Sequence, residues 1–435
     1  MIDLPENHPQ RFSLSNEVHA RPPEALTAPL SISCIALTND GPPTEEDRAI
    51  VEALTRQYGA TPPGTGAKHY SVDLGAFRFI WERHTEFTRF TFITHDEGTP
   101  FETPAISAAP SAWLTSLPGS LIAGAHVSLL DAEKNILPTS DTAEKFFSGN
   151  ALIGADIADG SAVAVTDFRL HKDGFSRFLI QNRSMTPWHT GRIVQRLLEI
   201  ETYRIMALLA LPVAQKLVPQ LTSWELELSR ITAEMTEDAS VDEPVLLERL
   251  TTLQAAIEKG HTESQFRFGA GAAYYALVQR RIEELRETRL PEMQTFKEFT
   301  ERRLAPAMAT CRSTENRQSA LSERVDRAGQ LLSTRVNLSL ERQNQAVMES
   351  MNKRAELQLR LQQTVEGLSV AAITYYVVGV IGYMSKGAEA SGMAINSAIA
   401  MGVSAPLVLA IAAFGVWQSR KHLSDAADDK GAEER

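Results

Sequence analysis

Along the first 185 residues the apolar positions come in short runs, many β-branched or alternating with polar ones. They lie at Leu30–Thr38, Tyr70–Trp81, Phe87–Thr94, Leu121–Leu130, Ala162–Leu170 and Phe175–Gln181. Runs of this length and period predict strands. Helix-like stretches separate them. In Thr44–Tyr58, Thr44 can cap, and Glu45, Glu46 and Asp47 suit the positive end of a helix dipole. Asp173-Gly174, between two strand-like runs, predicts a hairpin turn. Gly41–Thr44 and Pro62-Pro63-Gly64 read as loops. The pattern predicts a mixed α/β domain over residues 1–188.

From His189 onward the apolar spacing changes to three and four, with no convincing strand. Residues 189–235, 243–290 and 291–366 form three helical blocks, broken near Pro212, Asp242–Pro244 and Pro291. Pro306 is expected to kink the start of the third. Beyond it Leu321, Val325, Ala328, Leu332 and Val336 mark one stripe, whose steps of about 3.7 residues favour a right-handed or nearly straight bundle. A helix unbroken from Ala307 to Ser385 is about 120 Å long. It cannot bury its stripe alone, so partner helices or further subunits are implied.

Two uncharged stretches follow. Gly367–Ser385 gives about 28 Å of helix and Ile395–Trp417 about 34 Å, each near one hydrocarbon thickness. A pair of core helices in a soluble domain is the alternative, but almost nothing amphipathic adjoins to cover them. Gly379, Gly382, Gly402 and Pro406 also suit membrane helices, and Trp417 suits an interface. Lys353, Arg354 and Arg360 precede the first stretch, Arg420 and Lys421 follow the second, and the loop holds only Lys386, beside Glu389. The positive-inside rule then puts both termini in the cytoplasm. The first eight residues carry neither a basic n-region nor an apolar h-region, which argues against a cleaved signal. The expected fold is an α+β cytosolic domain (1–188), a helical bundle with a long stalk helix (189–366), and a transmembrane hairpin (367–417, spans 367–385 and 395–417). A polar cytosolic tail (418–435) closes it, disordered after Leu423. The expected place is a membrane, with most of the chain on its cytoplasmic side.

Length, charge, cysteine count and mean hydropathy sharpen this picture. The 435 residues suggest about three structural units. The net charge of −11 disfavours a nucleic-acid partner. Two cysteines, Cys34 and Cys311, exclude a disulfide scaffold and a thiolate-rich zinc cluster. The mean hydropathy of −0.17 reads as soluble only because it averages over the very different C-terminal segment.

Candidate chemistry is sparse. Glu17, His19 and Arg21 alternate, so an extended segment projects them to one face. They either grip an anion, a carboxylate or a partner loop, or pin an N-terminal arm that Pro22-Pro23 stiffens. Arg192, Arg196, Glu199 and Tyr203 share one helix face, with Arg196 and Glu199 close enough to pair. That face is a contact surface for the α/β domain, an anion site, or a salt-bridged helix face. The histidines lack metal-ligand spacing, and Gly64-Thr65-Gly66-Ala67-Lys68-His69 is not a Walker A loop. Gly269-Ala270-Gly271 lies within a helical run and reads as close helix packing. No enzyme, cofactor or metal is expected. Asn337 with Asn344, and Tyr376 with Tyr383, are seven residues apart and so nearly share a face. In a symmetric oligomer they either ring the axis or set register.

Two resemblances add to this reading. Asn16-Glu17-Val18-His19-Ala20-Arg21-Pro22-Pro23 and Gly191-Arg192-Ile193-Val194-Gln195-Arg196-Leu197-Leu198-Glu199-Ile200-Glu201-Thr202-Tyr203-Arg204 resemble words of a bacterial family of predicted membrane-anchored proteins, domain-of-unknown-function family 3422. That resemblance spans essentially the whole chain and implies a membrane anchor with no established activity. The layout is also similar to the CorA family of divalent-cation channels, homopentamers whose long helix lines the pore. It implies a homo-oligomer, a pentamer in the CorA pattern, and ion conduction. CorA proteins carry Gly-Met-Asn after the first span; here the place reads Gly382-Tyr383-Met384-Ser385-Lys386-Gly387. The Asn is missing, and a ring of Lys386 ammonium groups repels Mg²⁺ unless Glu389 neutralises it. The second function class is therefore a non-transporting membrane tether whose cytosolic domain recruits a protein partner.

Overall fold

A computed structural model describes residues 6–18, 22–39, 45–96, 99–132, 140–236, 242–392 and 396–433. The chain divides into two compact units, Met1–Gln330 and Leu331–Arg435.

The first unit is organised by nine strands: β1 (Leu30–Thr38), β2 (His69–Asp73), β3 (Arg78–Arg83), β4 (Phe87–His95), β5 (Leu121–Leu130), β6 (Ile153–Ile157), β7 (Ala162–Thr166), β8 (Ser176–Asn182) and β9 (Thr288–Arg289). They form one sheet in the order β2-β3-β4-β1-β5-β8-β7-β6-β9. Its neighbours are antiparallel except β5 and β8, which run parallel. Alternation along β1 shows how the sheet divides two cores. Ile32, Cys34 and Ala36 face one side, together with Ile193, Leu197 and Ile200 of helix α5 (Pro187–Leu208). Ile35 and Leu37 face the other, with Val51 and Leu54 of α2 (Glu45–Gln57) and Trp113 of α3 (Ser111–Thr115). Further along that second face, Phe146 and Phe147 of α4 (Ser140–Phe147) cover Val163 and Val165.

The expected run Tyr70–Trp81 is two strands, because Gly75 takes a φ of 82° and its N–H donates to the Asp73 carboxylate at 2.9 Å. Strand β6, Ile-Gly-Ala-Asp-Ile, escapes the hydrophobic pattern because its centre is small. Gly154 is needed there, since a Cβ would come within 2.5 Å of the Ala164 carbonyl oxygen. Strand β9 was also unexpected, as the second half read as purely helical.

Prolines set the helix starts. Helix α6 (Ala210–Thr236) begins just ahead of Pro212, α7 (Glu243–Leu285) carries Pro244 in its first turn, and α9 (Ala305–Ala390) carries Pro306. A missing N–H costs nothing at those positions. Helix α8 (Phe296–Arg303) opens on a capping box between Thr295 and Glu298. Gly271 lets α7 approach α5 and α6, since a Cβ there would lie 2.8 Å from that of Ala210.

In the second unit, α9 continues to Ala390 and α10 spans Ser397–Glu433. Both are long and apolar enough to cross a membrane, with mean hydropathies of 1.6 and 2.2 in their most apolar windows. Helix α10 extends through the polar C-terminal sequence in which disorder was expected; Ala426, Ala427 and Ala432 are strong helix formers there.

Candidate functional site

The covered face of the sheet holds a charged pair where hydrocarbon would be expected. Glu82 on β3 and Arg89 on β4 are cross-strand partners, 5% and 2% exposed. Arg89 Nε and Nη2 both reach Glu82 Oε2, at 2.6 and 2.5 Å. Desolvation opposes the guanidinium charge most strongly, but Glu82, Cys34, Glu199 and Tyr203 together hold the Arg89 pKa above its usual value. Nη1 has no hydrogen-bond partner. Burial pushes the nearby Cys34 thiol up to about 11, so it is protonated and not a nucleophile. Burial also pushes the Tyr203 phenol to about 12.

Helix α5 lies over this pair, and its polar residues turn towards α7. Arg196 donates to the Glu284 carboxylate and carbonyl, each at 3.1 Å. Glu199 accepts from Arg281 and from Gln195, and Arg281 also reaches Glu284 at 2.8 Å. The expected pairing of Arg196 with Glu199 is therefore not made. Each residue finds a nearer opposite charge on α7. Tyr203 packs edge-on to Phe87 and tilted against Tyr274. Arg192 is exposed and forms no ion pair among the described residues.

The N-terminal arm closes this region. Pro22, Pro23 and Glu24 border a cavity of about 40 Å³ together with Glu82, Arg89, Thr91, Gly191 and Gln195. Glu24 pairs with Arg78 at 2.9 Å, and the Leu26 N–H donates to the Pro187 carbonyl at 3.0 Å. A Cβ at Gly191 would collide with the Glu24 carbonyl oxygen. The residue just after the first sequence word thus crosses the start of the second at a glycine. Glu17 lies in helix α1 (Arg11–Val18), not in an extended segment, and His19 and Arg21 lie outside the described residues. The arrangement neutralises buried charge and locks arm, helix and sheet together.

Sequence reasoning missed a second polar cluster, because its members meet only through strand pairing. Ser33 and His126 face each other across β1 and β5, with Oγ 2.9 Å from Nδ1, and His126 Nε2 is 3.9 Å from Asp173 Oδ2. Ser33 is fully buried, and its Oγ accepts from the Ile106 N–H in the 3-10 turn Ala105–Ala108. The Phe175 ring stacks on His126 at 4.0 Å, so this Ser-His-Asp set is packed shut. Burial lowers the His126 pKa to about 4.

In the second unit a groove of about 900 Å³ runs between the apolar parts of α9 and α10, lined among others by Tyr375, Tyr376, Tyr383, Lys386, Met401 and Leu409. Tyr376 and Tyr383 are 71% and 80% exposed, and Asn337 and Asn344 are exposed on α9. The groove narrows at Gly382, where a Cβ would come within 2.5 Å of Met401 Sδ. Among the described residues no group of three or more His, Cys, Asp or Glu could hold a metal ion.

The model of a family described as protein of unknown function (DUF3422) matches residues 6–423, and the chain belongs to that family. No curated protein matches it.

Two predictions follow from the buried groups. Replacing Glu82 by Leu leaves Arg89 charged and unpaired, which should cost about 3–5 kcal/mol in urea unfolding. The double variant Glu82→Leu/Arg89→Met should recover most of that loss; equal losses would show that the pair does not hold this face together. His126 binds its proton less readily in the fold than in the unfolded chain. Its contribution is therefore complete above about pH 6.5 and disappears as the pH falls to about 4. The loss is on the order of 3 kcal/mol. His126→Asn should flatten the fall in stability over that range, and an unchanged slope would reject the assignment.

Proposed function

For this member of the family we propose an integral protein of the bacterial inner membrane that crosses it twice, at 367–385 and 395–417, and assembles as a homo-oligomer. Both termini face the cytoplasm. One observation carries the reading. From 341 to 365 every residue of α9 is exposed, and Val347, Met348, Met351, Leu357, Leu359 and Leu361 are each 58% to 69% accessible. Fully burying such a side chain is worth about 1.5–3 kcal/mol, so bringing several copies together is strongly favoured. A second copy of the chain is the simplest cover, because it presents the same surface.

In the assembly, the CorA-like layout gathers the long helices around one axis, with five copies as in the CorA pattern. Asn337, Asn344, Tyr376 and Tyr383 face that axis, and ions pass along it. The reading assigns no chemical reaction, cofactor or nucleic-acid partner to the chain. A non-transporting tether is the second reading, and Lys386 favours it, since a ring of ammonium groups at the pore mouth opposes cation entry. In that case the cytosolic face, with the unpaired Arg192, recruits a protein.

The detergent-solubilised full chain should weigh several times its monomer, and Val347→Glu/Met351→Glu/Leu357→Glu should return it to one copy. A monomeric wild type would overturn the assembly. Reconstituted into liposomes, the protein should pass at least one of Mg²⁺, Zn²⁺, K⁺ and Cl⁻. If none passes, conduction is excluded and the tether stands, with Arg192→Glu then expected to abolish partner capture while leaving the fold intact.

A further inference from the structure

At the far edge of the sheet from the arm, a groove of about 720 Å³ opens between β6, the segment after β7, and α8. Its size falls within the range of small-molecule sites. Four arginines line it: Arg169, Arg289, Arg302 and Arg303. Arg289 is paired, 3.3 Å from Glu298. The other three form no ion pair among the described residues. Arg192 is exposed and unpaired in the same way; what sets these three apart is that they line one groove.

The carboxylates in the groove do not make up the difference. The Asp167 side chain is wholly buried and fully engaged. It accepts from Asn150 Nδ2 at 2.8 Å and from the Arg169 N–H at 3.2 Å, and it sits 3.1 Å from His171 Nε2. Glu298 serves Arg289 and the α8 capping box. That leaves Glu292 and Glu301 against three guanidinium groups.

A helix dipole does not explain Arg302 and Arg303 either. Helix α8 passes into α9 through Leu304, which keeps a helical backbone and both its flanking bonds, from Leu304 N to Thr300 O and from Met308 N to Leu304 O. Pro306 withholds one donor, the one due to the Arg302 carbonyl, but the four open carbonyls of a true helix end are not there to attract cations. Arg169 is held in place by its neighbour. Phe168 has a φ of 51°, a conformation that is costly for a bulky residue, and its packing keeps it there. Its ring stacks on Phe299 at 4.8 Å, meets Phe178 and Phe296 edge-on, and lies under the Arg204 guanidinium. Glu292, on the groove's other side, also has a positive φ, at 57°.

We infer that this groove binds an organic phosphate of the nucleotide class. The three unpaired guanidinium groups take the phosphates, for which their planar forks are suited. Glu292 and Glu301 accept from the sugar hydroxyls or an exocyclic amine, and Leu152, Met293 and Phe299 supply an apolar wall for the base. The site lies within the first unit and stands whether or not the chain conducts ions.

Calorimetric titration of the detergent-solubilised full chain tests this, with ATP, GTP, adenosine and inorganic phosphate as probes. At least one nucleotide should bind, and at least tenfold more tightly than adenosine or inorganic phosphate. Arg302→Gln/Arg303→Gln, and separately Arg169→Gln, should each weaken that binding tenfold or more while leaving the thermal melt of the unliganded protein in place. Arg342→Gln, on the exposed part of α9, should leave it unchanged. No heat with either nucleotide, or equal affinity in the groove variants, overturns the inference. Inorganic phosphate binding as tightly as ATP also overturns it, reducing the groove to a simple anion site.

Discussion

A guanidinium placed inside a sheet core has to be neutralised where it stands, and much of the first unit can be read as the consequence of that demand at Arg89. Its cross-strand partner Glu82 supplies the countercharge, but two ions taken out of water still need cover. Helix α5 provides it, and the helix brings its own polar residues. Those would be stranded against the core if α7 did not present Arg281 and Glu284 to meet them. The arm then crosses α5 at Gly191 and borders, with the pair, the small cavity between them. Each layer answers a polar obligation left by the layer below.

The legible parts of this fold were those whose signal is local. Leu30–Thr38 and Leu121–Leu130 emerged with their observed ends because a long β-branched run bounded by polar residues has few other readings. Strand β6 did not, because its identity depends on β7 pressing against Gly154. The face shared by Arg196, Glu199 and Tyr203 was correctly placed on one helix, yet their partners were not. Helix periodicity fixes which residues look the same way and says nothing about what they look at. Ser33, His126 and Asp173 were invisible for the same reason, since 93 residues separate the first two and only strand register brings them together. The opposite error occurred at Glu17, where alternation along an assumed strand suggested a common face and the chain is helical.

The second unit obeys a different accounting. In the first, a large apolar side chain on the surface is an exception; between 341 and 365 it is the rule. The charges there, Glu349 with Lys353 among them, keep the segment soluble enough to exist but do not cover the leucines. The stretch from Gly367 needs no such charges in hydrocarbon, because a helix satisfies its own backbone there and apolar side chains are at no disadvantage. Thr374 and Ser369 follow that logic by donating to carbonyls one turn back, on their own helix. The Tyr375, Tyr376 and Tyr383 phenols make no such bond among the described residues and are exposed.

The same residue type therefore has to be interpreted by its partners and not by its presence. Arg89 is among the most buried side chains in the protein and has an unpaired nitrogen, yet Glu82 cancels its charge and the arm seals it, so its role is complete within the chain. Arg169, Arg302 and Arg303 are exposed, and among the described residues none of them forms an ion pair. A structural charge ends in a partner, whereas these three, Arg169 after a positive-φ residue and Arg302 and Arg303 on α8, end in a groove of ligand size. Within the second sequence word, Arg196, Glu199 and Tyr203 are residues the fold consumes, while Arg192 is left exposed. The three groove arginines carry no sequence signature at all, and they are where binding has room to occur.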